Sequence, residues 1–297
     1  MVEWKSPIPR QVHFIWIGDQ KVPDYFTRYF KKSFEENMPE FTYRLWTSKD
    51  LTRKNFPKTY SYIQEAKKWH GKPMITITEE DEDDDGNVWV VTEETLNESG
   101  NVAHHNKWAQ MTDLMRLEII YNHGGYYFDI NFEILPSRGK HTMYNLLNST
   151  KKQFVGCNEI PRLKEWDFLS NSFFGATKHN KILQRLLTKE YLDDIYFDNE
   201  DVSLETGPFY LRGGIYSKDS YHIFPTNYFY PFYEDPGFIS DLIGRKIEPN
   251  KCHKKKTKQK SYKKLQKKKG YIEYPCQKYP RSYALKHWQL GRSWKTF

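Results

Sequence analysis

Asp113-Leu-Met-Arg116, Gly124-Gly125 and Asp129-Ile130-Asn131 are the residues of this chain whose types and spacing could do chemistry. Asp113 and Arg116 are three apart in a stretch of helical apolar spacing, so they share one helix face. A glycine pair ends that helix and lets the chain turn into a strand. Asp129 falls where the strand leaves its apolar run, about where an α/β sheet carries ligands. Asp129 and Asn131, two apart on a strand, are expected to project to the same side. Two oxygen ligands there suit a hard divalent cation, which could grip a diphosphate and stabilise it as a leaving group. A carboxylate in an apolar strand is costly unless paired or metal-bound, so Asp129 carries more weight than a surface aspartate would.

The elements that must position these residues follow from periodicity. Val12 to Ile17 is an apolar run ending in Gly18, which predicts a buried strand. Tyr25, Phe26, Tyr29, Phe30 and Phe34 predict a helix over 23–36. Phe41 to Trp46 predicts a second strand, with Thr47 or Ser48 capping a short helix. This strand–helix–strand unit is the building block of a parallel sheet, so the fold class is α/β with a mixed, mostly parallel central sheet and flanking helices. The arms Met74–Thr78 and Val88–Thr92 predict a hairpin insertion over about 72–100, with Glu79–Asp85 as a solvated acidic tip. Trp108, Met111, Leu114, Met115 and Leu117 mark a helix over 105–122. One strand is expected from Tyr126 through Asp129 to Leu135, stopped by Pro136. Shorter strands are expected at 153–157 and 172–175, and a helix at 181–187. Residues 233–270 lose periodicity and predict a Lys-rich mobile loop, followed by an ordered aromatic segment at 281–294. Tyr228, Tyr230 and Tyr233, interleaved with Phe229 and Phe232, suit either an acceptor groove or core strand positions.

Composition narrows the classes. With 297 residues and 17% aromatics, the chain is too rich in core formers for a disordered protein. One domain over 1–297 is expected. No apolar run approaches the ~18 residues of a membrane span, and Met1-Val-Glu-Trp-Lys5 lacks a signal-peptide pattern. These features predict a cytoplasmic or other soluble host-cell compartment. Three cysteines are too few for a disulfide scaffold and lack zinc spacing. The net charge of +8 is concentrated: residues 251–269 hold 11 lysines and no Asp, Glu or Arg, and the rest has 35 basic residues against 38 acidic ones. A general nucleic-acid-binding face is therefore not what the charge predicts.

Six ordered segments resemble glycosyltransferase family 32, the Asp-X-Asp sugar-binding-region family, and more distantly the glucosylating domain of large clostridial toxins. They are His13-Phe-Ile-Trp-Ile-Gly18, Asp113-Leu-Met-Arg116, Gly124-Gly-Tyr-Tyr-Phe-Asp-Ile-Asn131, Asn171-Ser-Phe-Phe-Gly-Ala176, Thr206-Gly-Pro208, and His287-Trp288 with Ser293-Trp294. The resemblance implies a GT-A type fold, a nucleoside-diphosphate sugar donor (a UDP-sugar favoured, GDP-mannose the rival), and transfer to a glycan or glycoprotein acceptor with retained configuration. It implies that Trp16, Ile17 and Gly18, with Ser293 and Trp294, hold the donor nucleotide. Asp113, Arg116, Gly125 and Asn171 would hold the donor sugar, with Asp113, Arg116 and Asp129 as the catalytic set. Asp129, Asn131 and His287 would hold a divalent metal, Mn2+ favoured and Mg2+ possible. The third motif position carries Asn131 where the family pattern has Asp; an amide oxygen can ligate but brings no charge. Two alternative readings are a nucleotide-sugar or glycan-binding protein without turnover, and an RNA-binding protein acting through residues 251–269.

Overall fold

Strand β1 (Gln11–Trp16) is buried along its centre because its side chains alternate between two apolar layers. The structure, a computed structural model, describes residues 3–82, 88–94, 104–136, 139–159, 169–198, 201–231, 246–247, 271–272 and 282–287. After β1 come a π-helical turn (Phe26–Phe30), α1 (Lys31–Asn37), β2 (Thr42–Thr47) and α2 (Tyr60–Trp69). The chain continues through β3 (Ile75–Glu82), β4 (Val88–Glu94), α3 (Trp108–His123), β5 (Gly125–Phe128), β6 (Phe132–Ile134), α4 (Met143–Ser149), β7 (Phe154–Asn158) and β8 (Leu169–Ala176). The later elements are α5 (Lys181–Leu186), α6 (Lys189–Asp193), α7 (Val202–Glu205), α8 (Pro208–Gly213), β9 (Tyr221–Phe224), β10 (Lys246–Ile247), β11 (Tyr271–Ile272) and β12 (Ala284–Lys286).

The central sheet has the order β2-β1-β5-β8-β7-β9. β1 pairs in parallel with β2 and β5, and β7 with β9, while β8 is antiparallel to both β5 and β7. This is the mixed, mostly parallel α/β sheet expected from the sequence. One face packs Ile15, Tyr127 and Phe174 against α2, α3 and α5. The other packs Phe14, Phe128 and Phe173 against Phe26, Phe30 and Phe34 and against α4. Phe34 meets Phe14 and Phe128 edge-on at 5.0 Å each, an arrangement aromatic quadrupoles favour. Each such buried ring contributes roughly 1.5–3 kcal/mol of burial free energy.

Local chemistry explains the junctions. Thr47 and Asp50 form a capping box at the short turn after β2. Glu118, fully buried on α3, accepts from Lys58 N, Thr59 N and Thr59 Oγ1 at 2.9, 2.8 and 2.6 Å. Its charge thereby sits at the start of α2, where the helix dipole favours an anion. Gly124 ends α3 with φ +68°, and Gly125 follows at φ +95°. A Cβ on Gly125 would stand 2.6 Å from Gln11 O, so β1 and β5 can approach only over a glycine.

The helix expected over 23–36 runs unbroken over 24–37, with the π-helical turn inside it. One expectation is corrected. The strand from Tyr126 to Leu135 breaks at Asp129, because Phe132 N turns back to Asp129 O at 3.2 Å and β6 then leaves the sheet to pair with β12. Of the two readings open for the 228–233 aromatics, Phe229 and Tyr230, 0% and 3% exposed, take the core one, after a 3-10 turn rather than in a strand. Residues 83–85 of the acidic tip, Phe232, Tyr233, most of 233–270, and 288–294 lie outside the described residues. Among the described residues no helix is long and apolar enough to cross a membrane.

Candidate functional site

Parallel β1 and β5 bring their C-terminal ends to one edge of the sheet. Val12 lies opposite Tyr126 and His13 opposite Tyr127, so Trp16, Ile17 and Gly18 leave the sheet beside Asp129. β8 runs the other way, with Phe128 opposite Phe173, and its early residues Asn171 and Ser172 reach the same edge. Asp129 N donates to Ser172 O at 2.9 Å. α3 feeds β5 through the Gly124 turn and runs antiparallel to it, so its first half returns to this edge with Asp113 and Arg116. A Cβ on Gly18 would touch the Trp108 ring at 3.5 Å, which fixes the α3 start against the end of β1.

A charge network spans these elements. Arg116 Nη2 meets Asp113 Oδ1 at 2.9 Å, and both residues are buried. Asn171 Nδ2 also donates to Asp113 Oδ1 at 2.9 Å, and Thr206 Oγ1 donates to Asp113 Oδ2 at 3.0 Å. Arg116 Nη1 donates to Asn171 O at 2.7 Å and stands 3.7 Å from Asp129 Oδ1. Its Nε and Nη2 also bind Thr112 O and Thr112 Oγ1, at 3.2 and 3.3 Å. The guanidinium lies 4.5 Å over the Tyr127 ring, and Tyr127 Oη donates to Asp129 Oδ1 at 2.7 Å. Lys286 Nζ closes the network 3.2 Å from Asp129 Oδ2.

Burial pushes the Asp113 carboxyl up to about 7, against the pull of Arg116 and Thr206. Burial alone would lower the Arg116 guanidinium; Tyr127, Asp113 and Asp129 outweigh it and hold it above its ordinary value. Burial raises the Tyr127 phenol well above the usual range, so it serves Asp129 as a neutral donor. Of the two carboxylates, Asp129 is the open one: its side chain is 26% exposed against 5% for Asp113.

The structure thus brings Asp113, Arg116, Asp129 and Asn171 together, with Trp16, Ile17 and Gly18 along the same edge. Trp16 is half-buried and its Nε1 donates to Gln20 O at 2.8 Å. Gly125 does not belong. It opens β5, beside Gln11, about 13 Å along the strand from Asp129. Its role is backbone approach, and its assignment to the donor sugar is corrected. Ser293 and Trp294 lie outside the described residues.

The implied metal set does not fit a divalent cation. Asp129 and Asn131 occupy a turn rather than one face of a strand. Asn131 is 1% exposed, and its Nδ2 donates to His287 O at 3.0 Å while its own carbonyl accepts from His287 N at 2.9 Å. His287 is fully buried, and its Nε2 pairs with Glu133 Oε2 at 2.9 Å. Asn131 Oδ1, buried without a hydrogen-bond partner, is one neutral oxygen where such a cation takes about six. Both oxygens of Asp129 already face Tyr127, Arg116 and Lys286. A dication on Asp129 Oδ2 would stand within about 5 Å of the Lys286 ammonium, a repulsion of about 7 kcal/mol at an effective dielectric of 20. Among the described residues no three His, Cys, Asp or Glu side chains gather into a metal site.

Sequence reasoning missed Lys286 and the donor roles of Tyr127 and Thr206. Lys286 carries no local signal; it reaches Asp129 because β12 pairs antiparallel with β6, Lys286 opposite Phe132. Thr206 belongs to a quoted segment, but nothing local tells that its hydroxyl faces Asp113.

No family profile matches the sequence, and no curated protein matches it. A solved structure titled "PaToxG Glycosyltransferase" is similar at a TM-score of 0.47 and 15% identity, covering 72% of this chain and 70% of that one.

Proposed function

We propose that this chain is a retaining glycosyltransferase that moves a sugar from a nucleoside-diphosphate sugar, with a UDP-sugar favoured and GDP-mannose the rival, to a glycan or protein acceptor. The observation that carries this reading is the shared edge: an indole at the end of β1 and a carboxylate–guanidinium–amide network at the end of β5 lie along the edge of the sheet where open α/β folds bind ligands. The motif resemblance supports it independently of the geometry.

In this reading the base lies on Trp16, as a planar ring suits an aromatic face. Asp113, almost closed off, fixes Arg116 and Asn171 in place. Asp129 and Lys286 face the donor, and the buried Arg116 adds its charge beside Asp129. The acceptor oxygen forms its bond to the anomeric carbon on the face that the diphosphate leaves, the glycosidic phosphate bond breaks, and the acceptor proton passes to the departing diphosphate. Retention then needs no protein nucleophile. Arg116 and Lys286 stabilise the negative charge that grows on the leaving group.

The test is thermal stabilisation by UDP and by GDP, followed by hydrolysis and transfer from a panel of labelled donors. One of the nucleotides at 100 times its Kd should stabilise the fold by about 2.7 kcal/mol. If neither nucleotide shifts the melting temperature and no donor turns over, the reading is wrong.

A further inference from the structure

We propose that Lys286 is a built-in cation for the donor diphosphate, so that this chain binds diphosphates without a divalent metal. The nucleoside part of the ligand rests on the reading above; the diphosphate part stands on the charge geometry alone. The Lys286 ammonium stands 3.2 Å from Asp129 Oδ2, where a metal on the Asp-X-Asp turn would have to stand. Its place is fixed from several directions. β12 pairs with β6, the Asn131–His287 bonds clasp the next residue, and the His287 ring packs on Phe30 at 4.7 Å with its Nε2 on Glu133. Successive residues of β12 project to opposite sides, so anchoring His287 in the core turns Lys286 to the edge.

The charges balance without an ion. Asp113 and Asp129 are matched by Arg116 and Lys286, and the two cations reach Asp129 on different oxygens, at 3.7 and 3.2 Å. Asp129 is the partly open member of the four, so an anion entering here takes Lys286 by displacing that carboxylate. An ammonium serves as a point charge with rotatable donors for phosphate. The Arg116 guanidinium, its N–H groups already turned to Asp113, Thr112, Asn171 and Asp129, adds its charge alone. Asp129 is in this arrangement a positioning residue for Lys286.

Calorimetric titration with inorganic pyrophosphate and with UDP, each in EDTA and in Mn2+, tests the inference. The wild-type chain should bind pyrophosphate in EDTA, with affinity changed less than about twofold by Mn2+. Lys286→Gln should weaken it by about tenfold or more, the loss expected for a charge-assisted contact, and Lys286→Arg should retain most of it. Binding that appears only with Mn2+, no pyrophosphate binding in EDTA, or an unchanged affinity in a folded Lys286→Gln chain overturns the proposal. If Lys286→Gln does not fold, the wild-type EDTA arm and Lys286→Arg decide. Pyrophosphate binding in EDTA with no binding of UDP or GDP keeps the built-in cation and refutes the nucleotide reading.

Discussion

Arg116→Met is the substitution that asks most of the charge network. Methionine keeps the aliphatic volume and removes the guanidinium. Asp113 would keep Asn171 and Thr206 as donors and lose its 2.9 Å ion pair. Asn171 O would lose its 2.7 Å donor. Breaking a buried pair by removing one partner costs about 3–5 kcal/mol, a large part of a domain's whole stability. The cost should depend on pH. Burial already raises the Asp113 carboxyl to about 7, and Arg116 is what holds it down. Without Arg116 it rises further, so between the unfolded value and the folded one the native state holds a proton that the unfolded chain has released. Stability of the variant therefore falls as pH rises through that window. At pH 8 a loss of about 4 kcal/mol is expected. At pH 5 the carboxyl is neutral, and only the deserted carbonyl acceptors remain, about 2 kcal/mol. Urea unfolding of wild type, Arg116→Met, Asp113→Asn and the double variant at both pH values measures this as a double-mutant cycle. A coupling below about 0.5 kcal/mol at pH 8, or a coupling equal at both pH values, would refute the network as described.

Three further outcomes follow from particular contacts. Gly125→Ala should cost roughly 3 kcal/mol in a denaturation midpoint, because φ +95° and the 2.6 Å approach to Gln11 O leave a methyl no room, while pyrophosphate affinity in the folded fraction stays unchanged. Glu118→Gln should lose about 2 kcal/mol, since an amide offers one oxygen to the three donors that now share two; an unchanged urea midpoint would show that Glu118 does not hold the start of α2. Trp16→Ala should weaken UDP by about tenfold while leaving pyrophosphate binding intact, because a stacked base is worth about 1–3 kcal/mol and a bare diphosphate does not stack. Equal losses for both ligands would count against Trp16 as the base platform.

The parts of this molecule that were legible in its sequence are those set by short-range rules. Apolar runs of β1 and β2, the stripe of α3 and the glycines after it each carry their own periodicity or turn chemistry, and they appear within a few residues of the expected bounds. Asp113, Arg116 and Asp129 stood out because charged groups among apolar neighbours need partners. The break after Phe128 was not legible: Ile130, Phe132 and Ile134 continue the alternation of β5, and only the tertiary pairing of β6 with β12 shows that they leave the sheet. Lys286 was invisible for the same reason. Its neighbours in sequence do not predict that an antiparallel pairing will set it against Asp129. Thr206 likewise reaches Asp113 from 93 positions away.

The clasp between Asn131 and His287 joins partners 156 positions apart. Its hydrogen bonds, the three-residue pairing beside it and the buried Ala284, Leu285 and His287 hold this last strand to the edge. The central strands hold one another by a separate and denser pairing, so a release of β12 from β6 would leave the sheet intact. Such a local opening would carry Lys286 away from Asp129 and leave the edge with one cation instead of two. The diphosphate affinity proposed for this edge would thus be tied to the docking of one short strand, and an event that loosened that strand would dim the site without unfolding the protein.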